Sequence, residues 1–167
     1  MELYILRHGI AADRGSNEYA SDSQRPLTSD GVKKLRRTVS AMQSLDLSFE
    51  LILSSPYVRA RQTAQVVAEG LGLMRALELS AVLEPGADLE ALIADLASRK
   101  KNVDRILLVG HEPMLSSLIS LLLSGEEDLE ITLKKGGLCK LVIRTISPGR
   151  CATLEWLLTP KHLAGIR

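Results

Sequence analysis

The feature that most constrains this chain is an alternation: short apolar runs of strand length are separated by longer stretches with helical spacing. Leu3–Leu6, Phe49–Leu53, Arg105–Val109 and Leu138–Arg144 read as strands, with weaker candidates at Leu79–Leu83 and Thr153–Leu158. The stretches between them carry helix punctuation. Thr28 is a fitting N-cap for Asp30–Ser44, where Val32, Leu35, Val39 and Met42 share one face. Arg59–Leu71 repeats Ala60, Ala64, Val67 and Leu71 at helical spacing and closes on Gly72. Asp88 can cap Leu89–Leu96, and Pro113 can occupy the first turn of a helix that runs to Leu123 and stops at Gly125. Such alternation predicts an α/β fold, a three-layer α/β/α sandwich with helices on both faces of a mostly parallel sheet.

No internal repeat, low-complexity segment or interdomain linker interrupts the pattern, so one domain over 1–167 is expected. Only 3% of the residues are aromatic, so the core must come from Leu, Ile, Val and Ala. The 21 Lys and Arg balance 20 Asp and Glu, which argues against nonspecific binding to nucleic acid or a membrane surface. The first residues meet charge too soon for a signal peptide. No apolar run reaches the ~18 residues of a membrane span. Cys139 and Cys151 lack CxxC spacing and are expected to be reduced and buried, so the expected location is cytoplasmic. One polar stretch stands out: Ala12–Gln24 predicts a long loop, a common home for function in compact domains.

Ligands of open α/β sheets bind beyond the carboxyl ends of the strands. Here those ends are suggestive. The first strand runs into Arg7-His8-Gly9, the second into Ser54-Ser55-Pro56-Tyr57-Val58-Arg59, and the third into Gly110-His111-Glu112-Pro113. Two of the 3 histidines and two arginines can therefore project toward one rim. Guanidinium groups match the oxygens of a phosphoryl group and disfavour protonation of a nearby imidazole. A neutral His8 could then attack phosphorus in line and form a phosphohistidine intermediate that water hydrolyses. His111, just before a helix start, could bind the transferring oxygens.

Plainer readings stand beside this one. A lone strand-end histidine is more often structural, and a lone arginine is usually a surface charge. His8 and His111 as metal ligands would need a third ligand at a recognisable spacing, and flanking arginines would repel the cation; no metal or cofactor is expected. His162, beside Lys161, reads as exposed and inert. Ser54 and Ser55 read as turn residues, since no His-Asp relay accompanies them.

Taken together, the motifs resemble those of the histidine phosphatase superfamily, with its phosphoglycerate mutase-like fold. Leu6-Arg7-His8-Gly9 is similar to its signature, Ser54 to Ala64 to its second motif, Val109 to Pro113 to its third, and Arg25-Pro26-Leu27-Thr28-Ser29-Asp30-Gly31 to a further recurrent element. The likeness runs from residue 2 to about 115. It implies that His8 is the phospho-acceptor and that Arg7, Arg59 and His111 form the phosphate pocket. Arg61 does not align with the motif arginine and is expected to be exposed or paired.

The segment between Gly72 and Asp104 has room for only one weak strand and one helix, so little can roof the pocket. That openness suits a phosphorylated side chain on another protein. The chain thus resembles the SixA-type phosphohistidine phosphatases, which act on phosphorylated histidine-containing domains and carriers. The partner this implies is a phosphohistidine protein of a signalling or carrier system. Two alternatives remain open: a phosphatase or mutase for small phosphate monoesters, and a phosphate-binding regulatory domain without turnover. An ester needs a proton donor for its alkoxide, whereas a phosphoramidate nitrogen can be protonated without a dedicated acid. Glu84 lies roughly where the family's acid often falls and reads equally well as an ordinary loop carboxylate; Asp88 is more simply a cap. Arg25 can extend the phosphate site or anchor the long loop. Lys134-Lys135-Gly136-Gly137 can touch an acidic partner or form a solvated turn.

Overall fold

A computed structural model describes residues 1–15, 18–99 and 103–166. In chain order the elements are β1 (Glu2–Arg7), α1 (Ser29–Ser44), β2 (Leu51–Ser54), α2 (Val58–Leu71), β3 (Leu77–Leu79), α3 (Leu89–Arg99), β4 (Arg105–Gly110), α4 (Met114–Ser124), β5 (Leu138–Ile143), β6 (Ala152–Leu158) and the short α5 (Pro160–Leu163). The strands form one sheet in the order β3-β2-β4-β1-β5-β6. β3, β2, β4 and β1 run parallel, and β5 and β6 add an antiparallel edge.

The central strands are apolar on both faces because both faces are covered. Leu3, Ile5, Leu53, Ile106 and Leu108 point into one core with Leu92 and Leu96 of α3 and Leu115, Leu118 and Leu122 of α4. Tyr4, Leu6, Ile52, Leu107 and Val109 point into the other, with Val39 and Met42 of α1, Ala60, Ala64 and Val67 of α2, and Leu163 of α5. Two cores flanking one sheet make the three-layer sandwich. Each Leu or Ile so buried contributes on the order of 2 kcal/mol.

Helix boundaries follow local chemistry. The Thr28 side chain accepts from Gly31 N–H, and the Asp88 carboxylate accepts from Glu90 N–H. Gly72 and Gly125 close α2 and α4 in the left-handed conformation. Pro113 is the N-cap of α4 rather than a residue of its first turn. Gly31 answers a packing demand: a Cβ there would lie 2.2 Å from the carbonyl oxygen of Ile10. That oxygen also accepts from Thr28 N–H, so α1 is drawn against the chain just beyond His8.

Two further expectations are corrected by the structure. The weak strand falls at Leu77–Leu79, and Ala81–Leu83 is a 3-10 turn. Ser80 N–H still reaches Ser54 O, after which the chain turns inward to seat Leu83 in the core. Cys139 is buried, but Cys151 is only half-buried beside the edge strand β6; both are free thiols. Within the Ala12–Gln24 loop, Ser16 and Asn17 lie outside the described residues; Asp22–Gln24 forms a 3-10 turn. No helix among the described residues is long and apolar enough to cross a membrane.

Candidate active site

Parallel register brings three strand ends together. Arg7 pairs with Gly110 and Ser54 with Val109, so the residues that follow β1, β2 and β4 emerge at one edge. His8 N–H donates to Gly110 O at 3.1 Å, which places His111 beside it; the two imidazole centroids are 5.1 Å apart. Arg59 enters from the first turn of α2 and is almost wholly enclosed. Arg7, His8, Arg25, Arg59 and His111 line one cavity of about 540 Å3.

The imidazole of His8 has a defined tautomer. Its Nδ1 lies 2.7 Å from the carbonyl oxygen of Gly9. A carbonyl only accepts, so Nδ1 carries the proton and Nε2 keeps its lone pair. Arg59 Nε–H donates to that lone pair at 3.3 Å. Burial, reinforced by Arg59, Arg7 and Lys135, pushes the His8 pKa down to about 4, against the opposing bond to Gly9. The ring is neutral at pH 7. His111 is pushed down to about 3, by burial first and then by His8 and Arg59.

Arg59 is gripped on several sides. It donates to Asp22 O at 2.7 Å and to the Asp22 carboxylate at 2.9 Å, and it stacks 5.2 Å from the Tyr57 ring centre. Arg25 donates to the same carboxylate at 2.9 Å and to Ala12 O, so it both lines the cavity and anchors the loop. Burial would raise the Asp22 pKa, but the bonds from Arg25 and Arg59 outweigh it and hold the group low. Arg7 donates to Leu133 O at 2.9 Å, and His111 Nε2 lies 2.9 Å from Ser55 Oγ.

Among the described residues, the buried side-chain polar atoms with no partner are Arg7 Nε, His111 Nδ1 and Glu112 Oε1. All three residues line this cavity. Leaving such atoms unpaired costs about 1–3 kcal/mol each, a cost a protein tolerates where a ligand will supply the partners. No group of three or more His, Cys, Asp or Glu among the described residues is arranged to hold a metal ion.

A family model for the histidine phosphatase superfamily (branch 1) matches residues 3–86. Phosphohistidine phosphatase SixA of Escherichia coli (strain K12) is 30% identical over 164 residues, covering 98% of this chain and 96% of its own. The chain belongs to the histidine phosphatase superfamily. An uncharacterized protein of Picosynechococcus sp. is 39% identical over 142 residues, 84% of each chain. The solved structure of the protein histidine phosphatase SixA complexed with tungstate superposes with a TM-score of 0.83 at 29% identity, covering 98% of this chain and 99% of that one.

In this histidine phosphatase, Glu84 is half-buried and is not among the residues lining the cavity, whereas its neighbour Pro85 is. Arg61 and His162 are exposed. Sequence reasoning missed Glu112, the residue after His111: burial raises its pKa, and Ser116 Oγ–H donates to its other oxygen at 2.5 Å. It also missed Asp22, although the polar loop that carries it stood out. Thr63 was missed as well. Its hydroxyl accepts from Gly9 N–H at 3.0 Å and donates to Arg59 O at 2.7 Å, tying the segment that follows His8 to the helix that carries Arg59.

Proposed function

We propose that this chain hydrolyses phosphohistidine on another protein, with His8 Nε2 as the nucleophile. The observation that carries the reading is the ring of unpartnered buried polar atoms around a neutral imidazole whose lone pair faces Arg59. Nε2 attacks phosphorus; the bond to the substrate imidazole breaks as the bond to His8 forms, and the departing nitrogen takes a proton from solvent. Positive charge that develops on His8 is shared with the Gly9 carbonyl through Nδ1–H. Water then attacks phosphorus, the bond to Nε2 breaks, and inorganic phosphate leaves with the lone pair restored to His8.

Arg7, Arg59 and His111 supply the electrostatic side. Ser55 Oγ accepts from Tyr57 N–H at 3.3 Å, so its own proton can go to His111 Nε2. That arrangement leaves His111 Nδ1–H, which has no protein partner, to donate to a phosphoryl oxygen. Arg25 extends the same cationic wall. The phosphohistidine reading is supported by the relatives named SixA and by the position of Glu84 off the cavity wall. A second reading, hydrolysis of small phosphate monoesters, is favoured by one observation: Glu112 brings a carboxyl of raised pKa to the cavity.

The test offers a histidine-phosphorylated protein and an alkyl phosphate ester side by side. Wild type should release phosphate from the first and yield an acid-labile phosphoenzyme when trapped. His8→Ala should yield neither. Normal turnover by His8→Ala would overturn the mechanism, and preference for the ester would overturn the substrate class.

A further inference from the structure

Beside the catalytic cavity lies a second depression of about 400 Å3, between α1 and α5. Its floor is apolar, built on Leu35 and Pro160, and its rim is cationic, with Lys34, Arg37, Lys135 and Lys161. All four cations are exposed. Lys34 is held by Asp30 at 2.8 Å, whereas no carboxylate among the described residues pairs with Arg37, Lys135 or Lys161. In a chain with 21 basic and 20 acidic residues, such a cluster of unneutralised charge is a local feature. The two depressions also adjoin. Lys135 lines both, and Gly9, directly after His8, lines the second.

Cations over an apolar floor discriminate among occupants. A small phosphorylated metabolite would fill the catalytic cavity and gain nothing from a separate apolar trough. Single-stranded nucleic acid would want aromatic stacking platforms, and no aromatic residue lines this groove; a duplex would engage the cations through its phosphates but leave the apolar floor unused. An amphipathic helix with an acidic edge satisfies both parts: its apolar face meets the floor, and its Asp or Glu side chains meet the rim.

We infer that this groove docks the protein substrate itself, through an acidic amphipathic helix adjoining its phosphohistidine. The inference rests on the phosphohistidine reading above. Docking energy gathered in the groove would hold the phosphohistidine at His8 without enclosing it, so the open cavity acquires specificity from its neighbour. Rim charges of this kind act on association and its salt dependence more than on chemistry.

The experiment compares wild type with the Arg37→Glu/Lys161→Glu double variant on two substrates: a histidine-phosphorylated phosphotransfer domain and phosphoramidate, which carries the P–N bond but no protein. Both substituted residues are exposed and outside the catalytic cavity. On the protein substrate, kcat/KM should fall roughly tenfold or more through KM, with a weaker salt dependence. Turnover of phosphoramidate should not change, and Arg37→Lys/Lys161→Arg should behave as wild type. An unchanged KM on the protein substrate overturns the docking inference and leaves the phosphatase reading standing. Equal losses on both substrates also overturn it, since they place the effect in the catalytic cavity or the fold. If wild type hydrolyses neither substrate, the functional reading fails and the inference falls with it. Saturable binding to phosphatidylserine vesicles that the double variant loses, with the protein KM unmoved, would reassign the groove to a lipid surface.

Discussion

The carboxylate of Asp22 sits on the guanidinium of Arg59, Oδ2 at 2.9 Å from Nη2, while the other edge of the same guanidinium reaches His8 Nε2. Arg59 therefore joins the proposed nucleophile to Asp22, an acid 37 residues before the arginine in sequence. The acid occupies donors that a phosphoryl group would also seek.

Asp22→Asn tests that competition. The amide keeps the shape and removes the negative charge beside the proposed phosphate site. Because Asp22 is partly exposed, solvent screens much of the effect, so the inhibition constant for inorganic phosphate should fall about threefold to tenfold. A constant that rises or stays put would show that Asp22 only orients Arg59.

Acid should loosen this protein through its histidines. Both His8 and His111 have folded pKa values below their ordinary 6.5, at about 4 and about 3. Between pH 6.5 and about 4 the unfolded chain binds more protons than the folded one, so stability declines as pH falls through that window. The combined loss should be a few kcal/mol, read from urea unfolding at stepped pH. His8→Ala should flatten part of the slope, and the His8 ring should show no protonation by NMR until close to pH 4. An inflection near 6.5 would contradict the burial argument.

Thr63→Val should cost about 1–3 kcal/mol of stability. The substitution preserves size but leaves the buried Gly9 N–H without its acceptor. Urea denaturation measures the loss, and kcat should drop with it because Gly9 and Arg59 are no longer tied. A variant as stable and active as wild type would show that the tie carries no weight.

The carboxylates separate the two substrate classes. Glu112→Gln should lower kcat on an alkyl phosphate ester by roughly a hundredfold if its carboxyl protonates the alkoxide, and by less than about threefold on phosphohistidine. Glu84→Gln should change neither rate appreciably, given its place off the cavity wall. A large loss from Glu84→Gln would require that segment to move over the site.

Much of the fold was legible because β1, β2 and β4 are buried on both faces, so their apolar runs stand out against the helices. β3 was displaced because Leu83 is as apolar as a strand residue yet packs into the core from a turn, a distinction made only by the tertiary contacts. The histidines and arginines of the site sit directly at strand ends or in the first turn of α2, where topology alone gathers them. Asp22 gave no such signal: it is one polar residue among many in a loop, and only folding brings it to Arg59. Glu112 adjoins His111 in the chain, but its enclosure depends on the wall around it and leaves no trace in the residue pattern.

The bond from His8 Nδ1 to the Gly9 carbonyl has a consequence for how such a site can drift over time. In many enzymes a second side chain selects which imidazole nitrogen reacts, and a single exchange of that side chain undoes the choice. Here the acceptor is main chain. Substitution can retune the charge around His8, but the choice of which nitrogen keeps its lone pair does not depend on any one acceptor side chain.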